Sequence, residues 1–500
     1  MTDSSGPGSA TPGPADVLVR GAAHLWTGQR GDAMRHAAQP DPSGSGGNDI
    51  RVRGGVISAI GALQPQAGER IIDATDCVIY PGWVNTHHHL FQSLLKGIPA
   101  GINLALVPWL GAVPVPYRRH FDTEHALRIA ARVGLVELLL SGCSTVADHQ
   151  YHYWPDMPFD ASAAVFDEAD RLGVRFVLCR GGQTMARQLT DQQAPPQVMP
   201  ETLDAFLASI ERDVQRFHQP GPMAMRRVVS AITTPNWSCR AEELKPMARE
   251  ARRLGIRLHS HLSESHDYVR WAREVHGCTP LQFVEAHEWV GPDVWYAHMV
   301  HLDDAEIALC ARTGTGIAHC PQSNGRLGSG IARVPEMLAA GVPVSLAVDG
   351  AASNEAADML SEAHACWLMH RADPRAGQRA HLGHVPGHHV AQPGGDAAAM
   401  TVEDVVHIGT AGGARVLGID GIGTLAVGQA ADIAVYSLDQ PRFFGLHDPA
   451  IGPVASGGKA ALRALLVAGR VVVQDDAIPG LDLAELRHEA QVLVSRMLES

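Results

Sequence analysis

The sequence predicts an α/β protein: a (β/α)8 barrel carrying a small β-sandwich built from both chain ends. Three observations predict it. From Pro81 onward, apolar strands and amphipathic helices alternate in sequence. Short strands with turn signals occupy both ends of the chain. Polar side chains of metal-ligand type recur where the alternating strands end, the position at which such barrels carry their chemistry.

In order along the chain, residues 1–15 are rich in Ser, Gly and Pro, with no basic segment and no apolar core. They read as a disordered tail, not a signal peptide. Residues 16–80 read as short strands: Val17 to Arg20, Ile50 to Arg53 and Val56 to Ile60, interrupted by a Gly/Ser/Pro-rich loop from Gly31 to Asn48 expected to be mobile. The β-branched run Cys77 to Val84 reads as one buried strand, the first of the barrel. Thr123-Glu124 cap a helix to about Ser141, and Ser144 to His149 is strand two. Helices over Ala161 to Gly173, Glu201 to His218 and Ala241 to Gly255 alternate with strands at Val174 to Leu178, Arg227 to Ile232 and Ile256 to His261. Val294 to His298, Gly316 to Cys320 and Val344 to Asp349 complete eight strands. The barrel is assigned to residues 81–422, with a Gly/Pro/His-rich stretch at 373–395 expected to be a mobile insertion. Residues 423–480 return to short strands and join 16–80 in the sandwich.

Composition excludes several classes of function. A net charge of −13 with no basic stripe argues against a nucleic-acid partner. No apolar run reaches the ~18 residues of a membrane helix; the nearest, Leu135 to Leu140, is broken by Glu137. The eight cysteines form no CxxC pair or framework spacing, which predicts reduced thiols in the cytoplasm.

The 27 histidines are the anomaly. Side chains at i and i+2 of a strand share a side, so His87 and His89 should project together and His88 away. His261 ends strand five with Glu264 just beyond, His298 ends strand six, and Asp349 ends strand eight. A single buried His or Asp at a strand end is commonplace. Several around one barrel mouth form a nitrogen/oxygen set suited to a divalent metal with an open position for water.

These residues carry a resemblance. Asn85-Thr86-His87-x-His89, His261-x-x-Glu264, the lone strand-six His298 and Asp349-Gly350 resemble the amidohydrolase superfamily, in its mononuclear branch that deaminates aromatic heterocycles. The match runs from about residue 16 to 475 and takes in Gly428-x-x-Ala431-Asp432 and Thr410 to Arg415. Dinuclear relatives carry a lysine at the end of strand four, where this chain reads Ala231-Ile232-Thr233-Thr234. The resemblance therefore implies one divalent metal per subunit, zinc with iron(II) as second choice, on His87, His89, His261 and Asp349. Thr86 to Ser93, His319 to Leu327 and Val348 to Glu355 narrow the likeness to isoxanthopterin (pterin) deaminases, then to 8-oxoguanine deaminases.

The implied reaction is hydrolytic deamination of a 2-amino-4-oxo bicycle, isoxanthopterin giving 7-oxylumazine and ammonia, by a hydrolase of C–N bonds in cyclic amidines. Asp349 and His298 would take the proton of a metal-activated water and orient it. Glu264 would protonate the ring nitrogen and then the leaving amine. Substrate contacts are assigned to Gln92, Trp109, Tyr153, Arg180 and Gln183, with Tyr151 and Trp154 as pocket walls. His149 and His152, near the end of strand two, are read as pocket lining. His381, His384, His388 and His389 in the 373–395 stretch are read as loop residues, not ligands. Alternatives on the same scaffold are an 8-oxoguanine deaminase and a guanine- or triazine-type aminohydrolase. A non-enzymatic metal-binding barrel would have lost at least one of these groups. The expected partner is a small heterocycle, with no membrane or nucleic acid, in a homo-oligomer.

Overall fold

The computed structural model describes residues 16–30, 35–36, 47–185, 199–379 and 395–499. The tail 1–15, most of the 31–48 loop and the four histidines of the 373–395 stretch lie outside the described residues.

The predicted barrel is borne out. Eight strands form one sheet in strict chain order, each parallel to its neighbours. They are Trp83–Asn85, Cys143–Gln150, Arg175–Arg180, Arg226–Ala231, Leu258–Leu262, Val294–His298, Gly316–His319 and Val344–Leu346, here barrel strands one to eight. Strand eight returns to strand one through polar contacts as well as packing: Asp349 N donates to His87 O at 3.1 Å, Val348 N to Asn85 Oδ1 at 3.1 Å, and the Thr86 and Ser345 hydroxyls meet at 2.7 Å. Buried on both faces, the strands read as continuous runs of buried residues. The helix after strand one, Glu124–Leu140, begins where the sequence places it, with Thr123 Oγ1 accepting from Ala126 N at 3.3 Å.

One expectation needs correction. Cys77 to Val84 is not a single barrel strand. Cys77–Pro81 belongs to a different, six-stranded sheet, antiparallel to Ile433–Ser437 and parallel to His24–Leu25. The chain changes sheets at Gly82, where a Cβ would lie 2.5 Å from Ser144 Oγ and 2.6 Å from its Cβ. Apolar continuity across the junction hides the break, because both halves are fully buried.

The six-stranded sheet draws strands from both chain ends, including Leu462–Val467 and Arg470–Gln474. A four-stranded sheet of Val17–Arg20, Asp49–Arg53, Val56–Gly61 and Arg70–Asp73 shares a core with it, with Val17, Val19, Ile50 and Val52 packed among Ile79, Ile433, Val435 and Leu466. Arg70–Asp73 was not predicted as a strand; it pairs parallel to Val17–Arg20 at the sheet edge. A terminal helix, Leu483–Leu498, lies beyond the predicted boundary at 480. Two contacts tie these sheets to the barrel. Arg175 Nη1 pairs with Asp432 Oδ2, both buried, and Trp83 Nε1 donates to Tyr436 Oη at 2.8 Å.

Candidate active site

The turn after strand one is held by strand two. Leu90 N donates to Asp148 Oδ1 at 2.8 Å, His149 N to His88 O at 2.7 Å, and His89 Nδ1 to His149 O at 2.8 Å. This clamp sends His87 and His89 to one side while His88 turns away, its Nδ1 bonded to the Asp349 carbonyl. Both Nε2 atoms face one carboxylate oxygen: His87 and His89 each stand 3.3 Å from Asp349 Oδ1.

His261 reaches the same point from strand five, its Nε2 lying 3.2 Å from His89 Nε2. Ligand-type atoms of His87, His261, His298 and Asp349 all lie within 4.8 Å of one another. Beside them, His298 Nε2 stands 3.6 Å from Glu264 Oε2 and 3.9 Å from Asp349 Oδ2. The structure thus brings together His87, His89, His261, Glu264, His298 and Asp349.

The hydrogen-bond network assigns each ring's tautomer. His261 Nδ1 donates to Thr233 O at 2.6 Å, and His89 Nδ1 to His149 O. His259 Nδ1 donates to Trp295 O at 3.0 Å, so its Nε2 is an acceptor and takes the Nδ1 proton of His87 at 2.8 Å. His298 Nδ1 donates to Asn324 Oδ1 at 2.9 Å. Burial holds all these rings neutral: His87 well below the ordinary imidazole range, His89 down to about 3, and His259, His261 and His298 lowered. Every Nε2 of the three candidate ligands therefore presents a bare lone pair to its neighbours and to a carboxylate oxygen. Lone pairs converging at about 3.2–3.3 Å repel; a cation among them reverses the sign. The donor set fits a divalent transition metal with nitrogen and oxygen ligands.

Asp349 is fitted as an anion. Its Oδ2 accepts from Ser323 Oγ at 2.6 Å and Ser353 Oγ at 2.9 Å, and its Oδ1 from Gly350 N at 2.7 Å. Burial opposes its ionisation, and these three donors favour it. Ser263, His298, Met299 and Asp349 have φ of 49°, 74°, 42° and 64°. Left-handed backbone at non-glycine residues costs energy and tends to collect at functional sites; here it aims three strand ends inward.

The predicted substrate residues divide. Gln92 is buried, its Nε2 donating to Tyr151 Oη at 2.8 Å while Oε1 has no partner. Gly350 lets that oxygen come close, since a Cβ there would sit 2.2 Å from it. Trp109 is buried with an unpartnered Nε1. Tyr153 is tied down instead: its hydroxyl meets Ser162 Oγ at 2.9 Å, which donates to Asp213 at 2.6 Å. Arg180 lies over the Tyr153 ring at 3.8 Å and makes a two-pronged pair with Glu201 at 2.6 and 2.7 Å. That pairing engages both terminal nitrogens of the guanidinium. Gln183 is half-buried on the same segment, and its carbonyl accepts from Glu201 N at 2.9 Å. His149 lies within strand two and stacks on His261 at 4.9 Å. His152 bonds the Phe121 carbonyl at 2.8 Å.

Sequence reasoning missed the supporting groups His259, Ser323, Ser353 and Asn324, as well as Arg118. His259 carried a positional signal, standing two residues before His261 and so on the same side of the strand, while Ser323, Asn324 and Ser353 lie in the stretches that narrow the likeness, without a role read from them.

Among known proteins, a sequence profile described as the amidohydrolase family matches residues 78–472. An isoxanthopterin deaminase from an unknown prokaryotic organism is 57% identical over 482 residues, covering 96% of this chain and 97% of its own length. An 8-oxoguanine deaminase from Pseudomonas aeruginosa is 37% identical, covering 87% and 92%. The crystal structure of atrazine chlorohydrolase TrzN from Arthrobacter aurescens TC1, complexed with zinc, superposes with a TM-score of 0.84 at 27% identity, covering 96% and 100%.

Proposed function

The chain belongs to the amidohydrolase family, and from that premise we propose that it is a metal-dependent deaminase whose preferred substrate is isoxanthopterin. At the coarser level it is a hydrolase acting on C–N bonds of cyclic amidines. The narrower reading is carried by one observation, the 57% identity to an isoxanthopterin deaminase over nearly the full length of both chains. 8-Oxoguanine is the second substrate on the same reasoning.

His87, His89, His261 and Asp349 would hold one divalent ion, with zinc favoured by the zinc-complexed relative. When bound, such an ion supplies Lewis acidity and brings a water's proton within reach of bases at neutral pH. His298 is suited to receive and orient that water, being neutral with its bare Nε2 between Glu264 and Asp349. Asp349, held anionic by two serines, favours the charge that builds on His298 as a proton arrives. Glu264, buried at the rim of the same cluster, moves a proton to the ring nitrogen beside the amine-bearing carbon. It then returns one to the leaving amine, so that water and the amino ring become carbonyl and ammonia. Gln92 offers an unpaired acceptor to a ring N–H.

We further assign residues 81–422 as the catalytic unit and 16–80 with 423–480 as a composite sandwich. Among the described residues no helix is long and apolar enough to cross a membrane. None of the eight cysteines is paired, which supports a reducing, cytoplasmic setting.

Ammonia release from isoxanthopterin, pterin, 8-oxoguanine, guanine and cytosine tests the reading. Isoxanthopterin should lead, since a pocket built around an extra oxo group can reject rings lacking it by ~10⁴-fold. Comparable kcat/KM for guanine or cytosine would leave only the deaminase class standing.

A further inference from the structure

Three arginines are buried among the described residues: Arg118 at 5% exposure, Arg175 at 0% and Arg180 at 2%. Arg175 pairs with Asp432 and Arg180 with Glu201. Arg118 has no carboxylate against it among the described residues. Its Nε has no hydrogen-bond partner, and its guanidinium rests over the Tyr151 ring, 4.4 Å from the centroid. A guanidinium stays charged in proteins, and a buried charge without a counter-charge is costly to keep. Contact with a tyrosine offsets part of that cost and supplies no counter-charge.

The position of Arg118 gives the cost a purpose. It opens the short helical turn Arg118–Phe121, in the segment that joins strand one to strand two at the ligand-bearing end of the barrel. Tyr151, on which it rests, accepts from Gln92 Nε2 and stands edge-on to His89 at 4.8 Å. Arg118 and the bare Gln92 Oε1 thus flank one tyrosine beside the candidate metal centre, a cation without a counter-charge and an unpaired acceptor.

We propose that Arg118 anchors the ionised oxo group on the second ring of the substrate, so that the enzyme takes its bicyclic substrate as a monoanion. This rests on the functional reading above. A lactam N–H conjugated into an electron-poor bicyclic ring is acidic, and its anion spreads over adjacent oxygen and nitrogen. A planar guanidinium meets such a pair of atoms with two parallel N–H donors. Pterin and guanine, without the second-ring oxo group, leave Arg118 without a counter-charge. The charge needs no proton from the reaction: the lactam proton is lost to solvent on binding, and Glu264 and His298 handle the separate protons of deamination.

The test compares metal-loaded parent, Arg118→Gln and Arg118→Lys on isoxanthopterin and pterin. Arg118→Gln should lose about 10²–10³-fold in kcat/KM on isoxanthopterin, mostly in KM, with metal content kept. The loss on pterin should be much smaller, so the ratio between the two substrates collapses, and Arg118→Lys should restore part of it. Equal losses on both rings would overturn the anchor. A second measurement covers a variant that fails to fold. Metal-loaded Glu264→Gln, with Arg118 intact, should bind isoxanthopterin with the absorption spectrum of its anion at a pH where the free compound is neutral. A neutral spectrum would overturn the proposal while leaving the deaminase reading intact. Failure of the parent enzyme to deaminate either ring would overturn the functional reading and the anchor with it.

Discussion

Replacing His259 by Leu should loosen the metal without touching a ligand. His259 accepts the Nδ1 proton of His87 at 2.8 Å and donates to the Trp295 carbonyl at 3.0 Å, with its ring stacked on Trp295 at 4.5 Å. Leucine leaves both buried partners unsatisfied, at about 1–3 kcal/mol each. Only the first bears on the metal, because it fixes which nitrogen of His87 carries the lone pair. Loss of such a supporting partner typically weakens metal binding 10–100-fold, about 1.4–2.7 kcal/mol. His259→Gln is the matched control: its carboxamide can accept from His87 and donate to Trp295. Competition with a chelator at fixed pH gives the dissociation constants directly. The expected order is parent, then Gln, then Leu. A Leu variant that binds as tightly as the parent, or a Gln variant weaker than Leu, would refute the tautomer relay.

Metal-loaded Glu264→Gln should keep one equivalent of metal by elemental analysis and lose about 10²–10⁴-fold in kcat; near-parental turnover would remove Glu264 from the proton path. Asp148 supplies a pH signature: burial raises its carboxyl to about 7, and the Leu90 amide offsets this only in part. A carboxyl whose pKa is raised on folding contributes stability that is full below its unfolded value near 4 and is lost as pH rises through 7. Asp148→Asn keeps the acceptor for Leu90 and removes the titration. Its stability relative to parent should therefore increase from pH 5 to pH 8 by a few kcal/mol, because each tenfold change in an acid's ionisation constant is worth about 1.4 kcal/mol. Urea midpoints of the metal-loaded proteins that run parallel across that range would contradict it.

The barrel was legible because each strand after the first is bounded by a helix, so hydropathy changes period at every junction. No such change marks Gly82, where one apolar run passes between two sheets, and the first barrel strand was drawn too long. The candidate ligands were legible because a strand's alternation puts His87 beside His89 and ends other strands on His261, His298 and Asp349. Ser323 and Ser353 reach Asp349 from elements that no periodicity connects to it. The left-handed backbone at His298 and Asp349 has no letter in the sequence. Arg180 and Arg118 look equivalent as residues, and only the fold gives one a glutamate and the other none among the described residues.

The junction at Gly82 also bears on how the enzyme is made. Cys77–Pro81, which ends six residues before His87, is paired on one side with Ile433–Ser437. On the ribosome, that partner emerges about 350 residues later, some 20–70 s at ordinary rates of synthesis. Until then, the segment leading into the metal-ligand turn lacks one of its two flanking strands. Loading of a metal at the proposed site would then be a late event, completed after the last strands of the chain have left the ribosome, and a chain truncated before residue 433 should hold metal poorly even though it contains every candidate ligand.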